Sequence, residues 1–510
     1  MDIVLRRYGN LIDFGVDVVG ATPDSIVELL TPSLSYRYTK ILRGADAYDS
    51  ATGERRGARQ ETRYLFQVIN GRLTTHAGHI QKTADVLRVA GHTPRYLDVT
   101  PPLKRPRAYE PNWDALGVSM ATWNLKWRAR QDECLGAIVQ SVSQRRGGVI
   151  SAPTGFGKTT MIILLALLYP HAKIDIVVRS TNIMSRIMRS LLKVFPSVGQ
   201  IGDGRDDRGR ITLVSADSLH KVDGDADFVL LDEVHALMND RYSAMLGERY
   251  VFAIPFGFSA TPYARMDGCS ARVHGFCGPM IFHMSYQEGV TLGLVVQIDV
   301  DWLRVTMDYD PCGNYREVDK KRFGIWRNEH RNRMYAEAVR QVPDDEQVLM
   351  LVESVEHAVY LGQYLPEFVL CYGSMKSADC QKYQKLGLLP ESYEPMQRRQ
   401  LIAIQEDFEK GRLKKAIATD VWSTGVDFEQ LSVLARCDDR DSDVLDAQGP
   451  GRASRVYAGK SGARVIDGID YFNKGLYGKS CGRRKSYRSL GWGENWPVGS
   501  RNISHGGIHG

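Results

Sequence analysis

The stretch Ser151–Thr160, SAPTGFGKTT, constrains the fold of this chain more than any other. It follows the apolar run GGVIS and precedes the apolar run MIILLALL, so it reads as a glycine turn from a buried strand into a helix. Such a turn aims main-chain N–H groups and a helix N-terminus at a phosphate. Thr154, Gly155, Phe156, Gly157, Lys158, Thr159 and Thr160 form the expected cradle. Lys158 is placed to reach the β- and γ-phosphates of a nucleotide, and Thr159 to ligate Mg²⁺. The strict pattern G-x-x-x-x-G-K-[ST] has glycine where this chain has Ala152.

A phosphate loop at a strand end belongs to an open α/β sheet, and the sequence around it has that character. Short apolar runs at Gly148–Ser151, Ile174–Val178, Ile211–Ser215, Phe228–Leu231 and Val251–Phe258 alternate with helical segments. A second series follows at Gln347–Val352, Phe368–Tyr372, Lys415–Ala418, Ser432–Ala435 and Arg464–Ile466. The fold class is therefore α/β, with two tandem parallel-sheet lobes. The expected domains are an α+β accessory domain at 1–112, a first lobe at 113–298, a second lobe at 299–472 and a basic tail at 473–510. Pro101–Pro111 reads as a linker, and the join between lobes is expected near Val296–Arg304.

The run FVLLDEVHAL over Phe228–Leu237 carries two carboxylates at the C-terminal end of a buried strand, where ligands bind in open α/β sheets. Asp232 suits Mg²⁺ through water, and Glu233 suits activation of an attacking water. An acidic turn after a strand is common by itself. The phosphate loop upstream gives this one its meaning.

From these residues onward the chain resembles the superfamily 2 DExH helicases, whose lobes are RecA-like. The loop fits the family's AxxGxGKT form. D-E-V-H fits the DExH box, in which His235 couples the nucleotide site to the second lobe. Ser259-Ala260-Thr261-Pro262 resembles the SAT motif, giving Ser259 and Thr261 a coupling role. Ala418-Thr419-Asp420 with Gly425-Val426-Asp427 resembles the fifth motif, and Gln448 through Arg455 fits Q-x-x-G-R-x-x-R, the sixth. The resemblance implies ATP and Mg²⁺ as cofactors, with Gly425 and Asp427 at the nucleotide and Gln448, Arg452 and Arg455 acting on the transferring phosphoryl group as the lobes close. Arg128-Ala129-Arg130-Gln131 resembles the R-x-x-Q region, in which Gln131 reads adenine. Arg179, Ser180 and Thr181 replace the usual P-T-x-x-L. With Ser215, Ser423 and Thr424 they are the expected nucleic-acid contacts. FCGPMIFHMSYQEGVTLGLVV (276–296), NEHRNRMYAEAV (328–339) and FEKGRLKKAIATDVWSTGVDF (408–428) look most like phage UvsW-type DNA helicases, related to type III restriction motors. That resemblance implies unwinding or branch migration of branched DNA. A duplex translocase, an RNA helicase, a restriction motor and an ATP-gated scaffold remain alternatives.

Charge fits a polyanion partner. Residues 452–510 hold 11 Lys and Arg against 3 Asp and Glu, whereas 301–451 hold 20 against 27. Arg483-Arg484-Lys485, with Tyr477, Tyr487 and Trp492 nearby, could add phosphate and stacking contacts. The eight cysteines show no CxxC spacing, so free thiols in a reducing compartment are expected. MDIVLRRYGN lacks the order of a signal peptide, and no apolar run is long enough to cross a membrane. The expectation is a monomer in the cytoplasm, or the host cytoplasm for a phage-encoded chain.

Overall fold

A computed structural model describes residues 2–14, 23–41, 58–69, 72–262, 269–422, 428–441 and 450–496. The chain divides into two compact units, one of residues 1–152 with 157–284, the other of 153–156 with 285–510. The expected join near Val296–Arg304 thus lies too late. The first unit ends with the strand beside the phosphate-loop strand, before the helix Tyr286–Thr291.

The first unit opens with the expected small α+β region. Strands β1 (Asp2–Tyr8) and β2 (Leu11–Phe14) are followed by an antiparallel pair, β3 (Ser35–Ile41) with β4 (Ala58–Tyr64). Then come β5 (Phe66–Ile69), β6 (Arg72–His76) and β7 (Thr93–Asp98). A mixed sheet of order β5-β6-β2-β1-β7 packs Ile3 and Leu5 against Ala84 and Leu87 of the helix Ile80–Val89. The β1–β2 turn is tied to the larger sheet: the Asn10 side-chain amide donates to the carbonyls of Tyr250 and Ala253 at 2.8 and 2.6 Å. The linker is pinned as well, because Arg105 pairs with Asp225 and Asp227 at 3.0 Å each.

The larger sheet contains β8 (Gly148–Ser151), β9 (Ile174–Val178), β10 (Gly199–Gly202), β11 (Arg205–Asp207), β12 (Ile211–Ser215), β13 (Phe228–Asp232), β14 (Ile254–Ser259) and β15 (Met280–His283). Their order is β11-β10-β12-β9-β13-β14-β8-β15, parallel except for the β10–β11 hairpin. Apolar strands buried on both faces are the signature of such a sheet, and β8, β12, β13 and β14 are buried at every position. The helix Lys158–Leu168 is buried from Met161 to Leu168, so it is apolar all round because helices pack about it.

In the second unit β16 (Gln297–Val305), β17 (Gln347–Leu351), β18 (Val369–Cys371), β19 (Lys415–Ala418), β20 (Leu431–Arg436), β21 (Gly462–Asp470) and β22 (Gly493–Asn495) form one parallel sheet of order β18-β19-β17-β20-β21-β16-β22. The basic segment expected as a tail from 473 is part of this unit. Lys474–Ser489 is a helix, and β22 pairs with β16. The phosphate and stacking role expected there does not suit Arg483, Arg484, Tyr487 or Trp492, whereas Lys485 is exposed and Tyr477 half-buried. Arg483 is fully buried on Asp467, Arg484 pairs with Glu494 at 2.6 Å, and Tyr487 and Trp492 stack on each other inside the core. The acidic partners of this segment, Asp467 and Glu494, stand on β21 and β22. Cys134, Cys277, Cys312, Cys371, Cys380 and Cys437 are buried free thiols, and Cys481 is an exposed one. Among the described residues no helix is long and apolar enough to cross a membrane.

Candidate nucleotide site

The sheet register builds the site. Asp232 at the end of β13 pairs with Phe258 of β14, and Ser259 of β14 pairs with Ser151 of β8. The acidic box, the SAT serine and the root of the phosphate loop therefore end on three adjacent strands, spanning roughly 10 Å at the usual strand spacing.

The loop has the backbone its sequence called for. Gly157 caps the helix Lys158–Leu168 with a left-handed φ of 91°. A Cβ on Gly157 would also lie 2.7 Å from the Gln131 side-chain nitrogen, so glycine is required there on both counts. Gln131 is fully buried beside that turn, and its Oε1 accepts from the Arg128 N–H at 3.0 Å. Lys158 Nζ donates to the Ala152 carbonyl at 3.2 Å, which holds the ammonium over the loop. Lys158, Thr159 and Thr160 open the helix half-buried.

Glu233 follows the last residue of β13 with φ 49° and ψ 56°. A left-handed non-glycine residue costs about 1–2 kcal/mol, and such strain collects at functional sites. The twist aims the carboxylate at Ser259, whose hydroxyl donates to Glu233 Oε2 at 3.2 Å. Ser259 Oγ in turn accepts the Thr261 N–H at 3.0 Å and lies 2.8 Å from His235 Nδ1. A hydroxyl has one proton to donate. With that proton on Glu233, Nδ1 of His235 carries its own and donates. The expected coupling residues His235, Ser259 and Thr261 are thus one hydrogen-bonded cluster with Glu233.

Asp232 is buried, and no ion pair reaches it among the described residues. Burial, and then the nearby Glu233, push its carboxyl up to about 6, against the pull of Arg186 and Lys158. A dry carboxylate and the Thr159 hydroxyl are hard oxygen donors, which fits Mg²⁺. A divalent cation there would favour the charged carboxylate. Arg186, on the helix Thr181–Leu191, was not expected at this site. Its half-buried position on an amphipathic helix gives no sequence signal.

In the second unit Arg452 lies in the short turn Pro450–Ser454, and Arg455 follows it in an isolated bridge to Val295. The Val296 N–H donates to the Ser454 carbonyl at 2.8 Å, and Ser454 Oγ donates to the Gly451 carbonyl at 2.6 Å. Ser423, Thr424, Gly425, Asp427 and Gln448 lie outside the described residues.

The remaining expected contacts divide. Arg179 is exposed at the end of β9, bonds the Ala236 carbonyl at 3.3 Å and lies over the Tyr242 ring. Ser180 accepts the Ile183 N–H at 3.4 Å and so caps the helix that Thr181 begins. Ser215 is buried, packed close to Gly202.

Residues 124–264 match the family model described as type III restriction enzyme, res subunit. Putative helicase 22 of Sulfolobus islandicus filamentous virus is 28% identical over 197 residues, which are 34% of this chain and 35% of that protein's length. The crystal structure of T4 UvsW aligns with 97% of this chain and 99% of its own at 15% identity and a TM-score of 0.39. S. cerevisiae Dbp5 bound to RNA and ADP BeF3 aligns over 75% of this chain and 93% of its own at 13% identity, with a TM-score of 0.52. The fold of the two parallel sheets is that of tandem RecA-like lobes.

Proposed function

We propose that this chain is a superfamily 2 helicase and works as an ATP-driven motor on nucleic acid, a reading that the family match over 124–264 and the viral helicase relative support. The observation that carries this reading is the Ser259 hydroxyl held between Glu233 and His235, on the strand next to the phosphate loop. A purely structural acidic turn has no use for a strained glutamate hydrogen-bonded to the serine of a second motif.

Thr154–Thr160 cradle the triphosphate, with Lys158 on its terminal phosphates. Thr159 and Asp232 would hold Mg²⁺, which supplies charge neutralisation at the phosphates. Glu233 orients the attacking water and accepts its proton. Ser259 and His235 register the state of that carboxylate and transmit it along β14. Arg452 and Arg455 stabilise the charge that gathers on the transferred phosphoryl group. Arg179 and Thr181 contact a nucleic-acid backbone, giving affinity with little sequence preference and a steep salt dependence.

The finer reading is a DNA helicase acting on forks and junctions. The match to a restriction subunit supports DNA as the polymer. The test is ATP turnover measured side by side with single strands, duplex, forks, four-way junctions and RNA, together with strand displacement. The expected result is strongest stimulation by branched DNA, with strand separation. Stronger stimulation by RNA would overturn the choice of polymer, and no stimulation by any polymer would overturn the motor.

A further inference from the structure

Lys460 sits in the loop between the Pro450–Ser454 turn and β21. Its ammonium donates to the Leu431 carbonyl at 2.6 Å and to the Ala453 carbonyl at 2.5 Å. Leu431 begins β20, and Ala453 directly follows Arg452. No carboxylate forms an ion pair with this lysine among the described residues, and its charged neighbour is Arg455, another cation. A half-buried ammonium resting on main-chain carbonyls beside a guanidinium is an unfavourable arrangement. Burial, and then Arg455, lower its pKa to about 8. Packing does not call for it, since an apolar side chain would fill the space without that penalty.

Its geometry does explain it. The turn is held on one side by the Val296–Ser454 hydrogen bond and internally by Ser454 on Gly451. Lys460 supplies the link to β20, a strand of the sheet core. We propose that Lys460 is the positioning residue of Arg452, fixing through the Ala453 carbonyl the direction in which that guanidinium reaches the phosphoryl group. This rests on the motor reading above.

The experiment compares the full chain with Lys460→Met, Lys460→Gln, Arg452→Ala and the Lys460→Met/Arg452→Ala double variant. It measures nucleic-acid-stimulated ATP turnover and follows folding by thermal melting. Lys460→Met should lower kcat by roughly 10²-fold, the usual scale for a misplaced catalytic group, with KM for ATP near the parent value. Lys460→Gln keeps side-chain donors and should retain more of the rate. The double variant should be no slower than Arg452→Ala alone, because the lysine acts only through that turn. A parent-like kcat in both Lys460 variants overturns the proposal, as does a double variant in which the two losses multiply. A loss confined to KM, or one explained by unfolding of both variants, overturns it too. An inactive parent chain overturns the motor reading itself and this proposal with it.

Discussion

The buried acids of the second unit and Asp232 of the first are held in opposite ways. In the second, buried acids meet buried bases directly. Asp467 takes Arg483 at 2.9 Å and the Tyr487 hydroxyl at 3.0 Å, Asp470 takes Arg331 at 2.9 Å, and Asp438 lies between Arg436 and Arg440 at 2.9 and 2.5 Å. In the first unit Asp232 is equally buried but has no cation in ion-pair range among the described residues, and its partner in the acidic box is another carboxylate. The pairs of the second unit are complete within the protein and hold the sheet ends and the Lys474–Ser489 helix together. Asp227 of the first unit is paired in the same way, with Arg105, so Asp232 stands apart as a buried acid short of positive charge, which is the condition for recruiting it from a ligand.

The contrast makes separate demands on activity and stability. Glu233→Gln should cut ATP turnover by about 10²–10⁴-fold, the range for a lost general base, and leave the melting temperature near the parent's. A turnover equal to the parent's would remove Glu233 from the chemistry and erase the contrast. Asp467→Asn should do the reverse. It strands Arg483 in the core and should destabilise the fold by about 3–5 kcal/mol in denaturant unfolding. Converting both partners to apolar residues, as in Asp467→Leu with Arg483→Met, should recover most of that loss. If the single variant melts like the parent, the network is ornamental.

A smaller effect sharpens the picture of the second unit's interior. His357 is fully buried with no hydrogen bond on either ring nitrogen, and burial, then Arg331, lower its pKa from 6.5 to about 3. The folded chain keeps it neutral, while the unfolded chain takes up a proton as pH falls below 6.5. Its contribution is therefore intact above that pH and is lost progressively on acidification toward about 3. Melting curves from pH 7 to 4 should fall less steeply for His357→Leu than for the parent. Equal slopes would show that the site takes up no less proton folded than unfolded.

The phosphate loop, the acidic box and most core strands were legible because each is a local pattern. Phe228–Asp232 announces its burial by being apolar throughout, and Gly157 announces its turn by being glycine. β14 begins later than the apolar run suggested, because Val251–Ala253 lead into the sheet as a turn, with the Val251 carbonyl taken by Asn10. In the two larger sheets β10, β11, β15, β16 and β22 were not foreseen. Short or polar-flanked strands such as Gly493–Asn495 are strands only because a neighbour offers an edge. The basic run at Arg483 misled for a related reason. Its acid, Asp467, lies on another element and is brought to it by the fold.

The sequence by itself determined which residues carry the chemistry. Strand, glycine turn and helix follow one another along the chain, and a phosphate cradle needs nothing else. Tertiary structure decided how those residues are held and which charges are spent inside the protein. Ser259 reaches Glu233 only because parallel pairing sets β14 beside β13, and Lys460 reaches Ala453 only because the loop before β21 folds back on β20. Hydrophobic periodicity is a property of one segment, whereas the neutralisation of a buried charge depends on a partner drawn from anywhere in the chain.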